Sequence, residues 1–125
     1  MTICQYKIKF YFRRKSISLA SHLQMACADV SQLDITKVVI NPRHGVFGLD
    51  YRVKARMREL GYPYPLDSIH VQQMSRHNET LIRALRDVGL HNAGYNGGPL
   101  EIAIVMGDCY IVKSYDGMEW VMEPR

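Results

Sequence analysis

The sequence has few cysteines and no long apolar run. Three cysteines, Cys4, Cys27 and Cys109, are spread over 125 residues. They are odd in number and form no C-x-x-C pair, which argues against a disulfide scaffold and against a four-thiolate zinc site. Buried free thiols in a reducing compartment are the expectation. The longest apolar run, Ile102 to Met106, has the length of a strand, far short of the ~20 residues that a membrane helix needs. The first residues, Met1 to Lys7, lack a basic stretch followed by an apolar one, so no signal peptide is read there. A soluble, cytoplasmic protein with no membrane association is therefore expected.

The motifs of familiar chemistry are absent too. There is no G-x-x-x-x-G-K-[ST] phosphate loop and no G-x-S-x-G elbow. The five histidines, His22, His44, His70, His77 and His91, never fall at H-x-x-x-H or H-E-x-x-H spacing. The sequence thus names no metal, no cofactor and no catalytic residue, and the balance leans away from an enzyme.

The composition is that of an ordinary globular protein, 47% hydrophobic and 22% charged, so disorder is not expected. The length fits one domain, 1–125. The net charge of +4 is unevenly spread: residues 1–60 hold eleven Lys and Arg against four Asp and Glu, and residues 61–125 hold five against eight. A basic half beside an acidic half favours an anionic partner, unless folding interleaves the two.

Periodicity outlines the elements. Residues 5–12 alternate as a strand, with Tyr6, Ile8, Phe10 and Phe12 on one face, and the basic turn Arg13-Arg14-Lys15 follows. Leu19, Leu23, Ala26 or Cys27, and Val30 mark a helix over 17–30, capped by Ser16 or Ser18. The β-branched residues of 35–40 predict a buried strand that ends at Asn41-Pro42. Asp50 caps a second helix over 51–60, with Val53, Met57 and Leu60 inward and Gly61 as its stop. Tyr62-Pro63-Tyr64-Pro65 is extended. Residues 69–74 alternate as a short strand, with Ile69, Val71 and Gln73 on one side. Asn78 caps a third helix over 79–88, closed by Gly89, and 91–99 is a loop. Three strands, 100–106, 109–114 and 118–122, turn at Gly107-Asp108 and at Asp116-Gly117. The result is an α+β fold with a mixed or antiparallel sheet, about three helices and a C-terminal β-meander.

From Lys37 onward the chain resembles an uncharacterised family of small proteins scattered through phage, prophage and other microbial genomes. The resemblance rests on Ile40-Asn41-Pro42-Arg43-His44-Gly45-Val46-Phe47-Gly48-Leu49, on Ser75-Arg76-His77-Asn78 and the helix Leu81 to Leu90, on Leu100-Glu101-Ile102, and on Tyr115-Asp116-Gly117-Met118-Glu119-Trp120. The family loop usually reads N-x-C-x-G-G-F. Here Arg43 replaces the cysteine and Val46 separates Gly45 from Phe47, so any thiol-dependent role of that loop is lost. The resemblance implies a coherent fold and a mobile-element origin, and brings no mechanism.

Four constellations are candidates for function. In the loop 41–48, glycines and a helix start offer free N–H groups to an anion, with Arg43 and His44 beside them. The plainer alternative is a structural turn that buries Phe47. The turn Arg76-His77-Asn78 could bind an anion or move a proton, or could serve as an ion pair beside a helix cap. The basic helix bearing Arg52, Lys54, Arg56 and Arg58, together with Lys7, Lys9 and Arg13-Arg14-Lys15 elsewhere and Tyr6, Tyr11, Tyr51, Tyr62 and Tyr64 as stacking partners, suits a phosphate backbone, or is only a solvated face. Asp116 and Glu119 are either a carboxylate pair or parts of a hairpin.

The expectation carried forward is a non-catalytic binding or inhibitor protein of phage or mobile-element type. It engages a host protein or complex through a basic, Tyr- and Arg-rich surface whose contacts include Arg43, Arg52, Arg56 and Tyr64. One alternative is a small anion- or nucleotide-binding enzyme, with Arg43 and Arg76 as the clamp and His44 or His77 as acid or base. The other is nonspecific nucleic-acid binding through the basic half.

Overall fold

A computed structural model describes residues 7–12, as a strand, and residues 35–123. The expected helix over 17–30 and the Arg13-Arg14-Lys15 turn lie outside the described residues. In chain order the elements are β1 (Lys7–Phe12), β2 (Ile35–Ile40), α1 (Tyr51–Glu59), α2 (Ser68–Gln73), α3 (Glu79–Val88), a 3-10 turn (Tyr95–Gly97), β3 (Glu101–Met106), β4 (Cys109–Tyr115) and β5 (Met118–Met122).

The middle of the molecule is the pair β2–β3, antiparallel with Val39 opposite Ile102. The three-stranded antiparallel sheet β1-β4-β5 packs on one of its faces. Val38 and Ile40 of β2 and Val105 of β3 meet Tyr110 and Val112 of β4 there. On the other face, Val39 and Leu100 join Val53 and Met57 of α1, Val71 of α2, and Leu81, Ile82, Ala84 and Leu85 of α3. Covered on both sides, β2 needs apolar residues at successive positions, which explains its unbroken Val38-Val39-Ile40 run.

The helix starts follow capping chemistry. The Asp50 carboxylate accepts from the Arg52 N–H, and the Asn78 side chain accepts from the Leu81 N–H. Each satisfies a donor that the first helical turn leaves unpaired. Leu60 closes α1 as its C-cap, with Gly61 at φ 93° beyond it, and Gly89 ends α3 at φ 103°.

Two expectations are corrected. Residues 69–74 form α2, not a strand. Strand alternation would turn Ile69 and Val71 inward together, yet Ile69 is 67% exposed while Val71 and Met74, three residues apart, are buried. Asp67, which accepts from the His70 N–H, supplies the cap. The three C-terminal strands are all present, and β4–β5 is a tight hairpin, but β3 pairs with β2 rather than with β4. The Gly107-Asp108 turn carries the chain from one sheet to the other, because β3 must lie between the helices and the second sheet to bury Ile102 and Val105 on opposite faces. The fold is α+β with antiparallel sheets. No described helix is long and apolar enough to cross a membrane.

Candidate binding groove

The motif residues Asn41, Arg76, Asp116-Gly117 and Glu119 come together, and they do so inside the protein. Arg76 is 2% exposed. Its Nη1 and Nη2 donate to the two Glu119 carboxylate oxygens at 2.6 and 2.8 Å. Glu119 Oε1 also accepts from the Asn41 N–H at 2.8 Å, and the Glu119 N–H donates to the Asn41 carbonyl. The Val39 N–H donates to the Arg76 carbonyl, so residue 76 completes the outer edge of β2. The guanidinium carbon sits 3.5 Å from the centre of the Phe47 ring, a cation–π contact that covers one flat side of a charge with little water around it.

The glycines of this junction have a steric role. Asp116 (φ 49°) and Gly117 (φ 85°) are the two left-handed residues of the β4–β5 turn, as a type I′ hairpin requires. The Asn41 amide donates to the Gly45 and Gly117 carbonyls, and the Gly45 N–H donates to the Asp116 carbonyl. Loop 41–48 is thereby laid against the hairpin tip so tightly that a Cβ on Gly117 would fall 1.6 Å from the Gly45 oxygen.

The residues singled out from the sequence thus separate. Arg76 is held by Glu119 and cannot join Arg43 in a clamp on an external anion. Arg43 is exposed. His44 Nδ1 lies 3.5 Å from the Asp116 carboxylate at the surface. His77 Nδ1 is 2.7 Å from the hydroxyl of the buried Tyr110. Arg52 pairs with Asp50 at 2.8 Å, and that hydrogen bond holds the Asp50 carboxyl below its ordinary range. Arg56 pairs with Asp87 at 2.8 Å and with Glu59 at 3.1 Å. Tyr64 is 63% exposed, edge-on to Tyr62. Asp116 and Glu119 are not a working carboxylate pair: one is in the turn, the other in the buried ion pair.

A second feature was not singled out. A cleft of about 470 Å³ runs between the first half of β2 and α3. Ile35 and the exposed edge of the core residue Ile82 line its apolar side, Lys37, Arg83 and Arg86 supply cationic donors, and His77, held by the Tyr110 hydroxyl, lines it too. Glu79 and Asp87 also line it, but Asp87 is already engaged by Arg56. Lys37, Arg83 and Arg86 have no ion pair and no side-chain hydrogen bond among the described residues. On α3 the lining residues 79, 82, 83, 86 and 87 follow helical spacing, so they make one stripe. The apolar surface continues across the sheet, because Met106 stands opposite Ile35 and Ile104 opposite Lys37. Ile35, Ile104 and Met106 are 43%, 64% and 52% exposed.

The one described thiol is poorly suited to attack: burial and the nearby Asp108 push the Cys109 thiol above its ordinary range, away from the thiolate. No group of three or more His, Cys, Asp and Glu among the described residues is placed to hold a metal ion. The chain matches no protein-family model, no curated protein and no solved structure.

Proposed function

We propose that this chain is a non-catalytic binding protein that engages an anionic macromolecule at the groove between β2 and α3, acting by occupancy and not by turnover. One observation carries the reading. Among the described residues, Lys37, Arg83 and Arg86 are cations on a shared groove with no ion pair and no side-chain hydrogen bond, whereas Arg52, Arg56 and Arg76 are spent on the protein's own carboxylates. Unpaired cations around a recess attract and orient an acidic partner, and a partner that covers them strengthens each interaction by excluding water.

The test compares two charge-matched triple variants on a heparin column under a salt gradient. One carries Lys37→Glu, Arg83→Glu and Arg86→Glu, and the other Arg43→Glu, Lys54→Glu and Arg58→Glu. The groove variant elutes at clearly lower salt than the control if the groove is the contact surface. Equal elution by the two variants means that only net charge matters, and the assignment to the groove then fails.

A further inference from the structure

We infer that the occupant of this groove is a segment of a partner protein in which acidic residues flank a large apolar side chain. The inference rests on the groove reading above and adds the chemical class of the partner.

Three features separate such a segment from a nucleic acid. The first is the apolar surface. Ile35 and Ile82 line the cleft, and Ile104 and Met106 extend the same face of β2–β3 into solvent. A sugar-phosphate backbone gains nothing from isoleucine, whereas a leucine or phenylalanine of a peptide would bury itself there. The second is the lack of a broad stacking platform: His77 is the one aromatic ring among the described lining residues, and it is already edge-on to Tyr110. No tyrosine, phenylalanine or tryptophan is among the described residues that line the groove, and sequence-tolerant binding of single strands leans on aromatic rings. The third is charge of the opposite sign. Glu79 lines the cleft beside the three cations. A nucleic acid carries a phosphate at every step and meets repulsion from that carboxylate, whereas a peptide can set its own carboxylates at the three cations and place a backbone N–H at Glu79.

The cations match carboxylates in arrangement. Arg83 and Arg86 lie three residues apart on one helix face, about 5–6 Å between Cβ atoms. Lys37 projects from the strand across the groove. A segment lying along α3 meets guanidinium forks on one side and an ammonium on the other, with its apolar side chain between Ile35 and Ile82. Fork-shaped donors suit carboxylates, which they can hold by two parallel hydrogen bonds.

The experiment selects random 12-residue displayed peptides on the full-length chain, after depletion on the Lys37→Glu/Arg83→Glu/Arg86→Glu variant. Enriched peptides are then synthesised with a fluorophore and titrated beside a labelled 20-nucleotide oligo-dT. The expected result is enrichment of sequences with two or more Asp or Glu around a large apolar residue. Their Kd should rise at least tenfold with the triple variant and at least threefold with Ile35→Ser, which leaves the charge untouched. Thermal melting of each variant checks that it is folded. Peptides without acidic enrichment, or indifferent to Ile35→Ser, overturn the inference. If only oligo-dT binds, and does so through the three cations, the groove survives as an anion-binding surface and the peptide class is wrong. Dimerisation of the protein that the triple variant abolishes would give the groove to a second copy and also overturn the inference. If no probe binds in a groove-dependent way, both this inference and the groove reading fall.

Discussion

Replacing Glu119 by Gln keeps the shape of the side chain and removes its charge. The Arg76 side chain is 2% exposed and that of Glu119 9% exposed, so neither is well screened by water. Arginine cannot shed its proton to escape an apolar environment. The substitution therefore leaves a buried cation without its counter-ion, which costs about 3–5 kcal/mol, against a total stability of about 5–15 kcal/mol for a domain. With about 2.1 cal/mol/K of unfolding entropy per residue, a chain of this length loses about 4 °C of melting temperature per kcal/mol, so the drop should be about 12–20 °C. Thermal and urea unfolding followed by far-UV circular dichroism read it directly. The double substitution Arg76→Met/Glu119→Leu removes both charges and should recover part of the loss. It cannot recover all of it, because the Asn41 N–H loses its acceptor and an unpaired buried donor costs about 1–3 kcal/mol. A Glu119→Gln protein within about 1 kcal/mol of the parent would refute the reasoning, since it would mean that water reaches the guanidinium.

Two more outcomes follow from the same geometry. Gly117→Ala should destabilise by about 3 kcal/mol or more, because its Cβ meets backbone at 1.6 Å. Gly107→Ala, at φ 89° but with nothing within 4 Å of the added carbon, should cost only the left-handed penalty of about 1–2 kcal/mol. Equal losses in urea unfolding would show that the hairpin tip can move off loop 41–48. The second outcome concerns acid. Asp50 is held below its ordinary range chiefly by the Arg52 side chain, and Asp67 chiefly by the His70 N–H. Folded-state values below the unfolded ones give stability that is complete above about pH 4 and is lost as pH falls through the depressed values. Asp50→Asn/Asp67→Asn keeps a capping oxygen at each helix, so it should flatten the fall in stability below pH 4. An unchanged acid limb in urea titrations would contradict these shifts.

Local signals made much of the fold legible. Asp50 and Asn78 precede their helices in the sequence as they do in space, and the Asp116-Gly117 pair marks its hairpin, because caps and primed turns depend on a few adjacent residues. The α2 segment departs from its sequence pattern for a reason of the same kind. Ile69, Val71 and Gln73 alternate, but the burial partners of Val71 and Met74 come from distant elements, so the true spacing was hidden. The pairing of β3 with β2 is hidden likewise, since nothing in the five-residue apolar run Ile102 to Met106 says which of two sheets it joins. Among the site residues, the sequence placed Asn41, Arg76, Asp116 and Glu119 in recognisable motifs without showing that they meet. They serve structure: Asn41 holds the Gly45 and Gly117 carbonyls, and Arg76 holds Glu119.

The charge distribution shows most clearly why the groove was not visible beforehand. A basic first half and an acidic second half suggested an exposed cationic patch on α1, but the fold places the halves against each other. Arg56 reaches Asp87, 31 positions away, and His44 meets Asp116, 72 positions away. The excess of one sign along the chain is thus partly consumed in tertiary pairs. The unpaired cations that remain in the cleft come from both halves: Lys37 from the basic one, Arg83 and Arg86 from the acidic one. Charge counted along a sequence averages over residues that neutralise one another. A binding surface depends on the cations left over, and these are identifiable only once the strand β2 and the helix α3 are side by side.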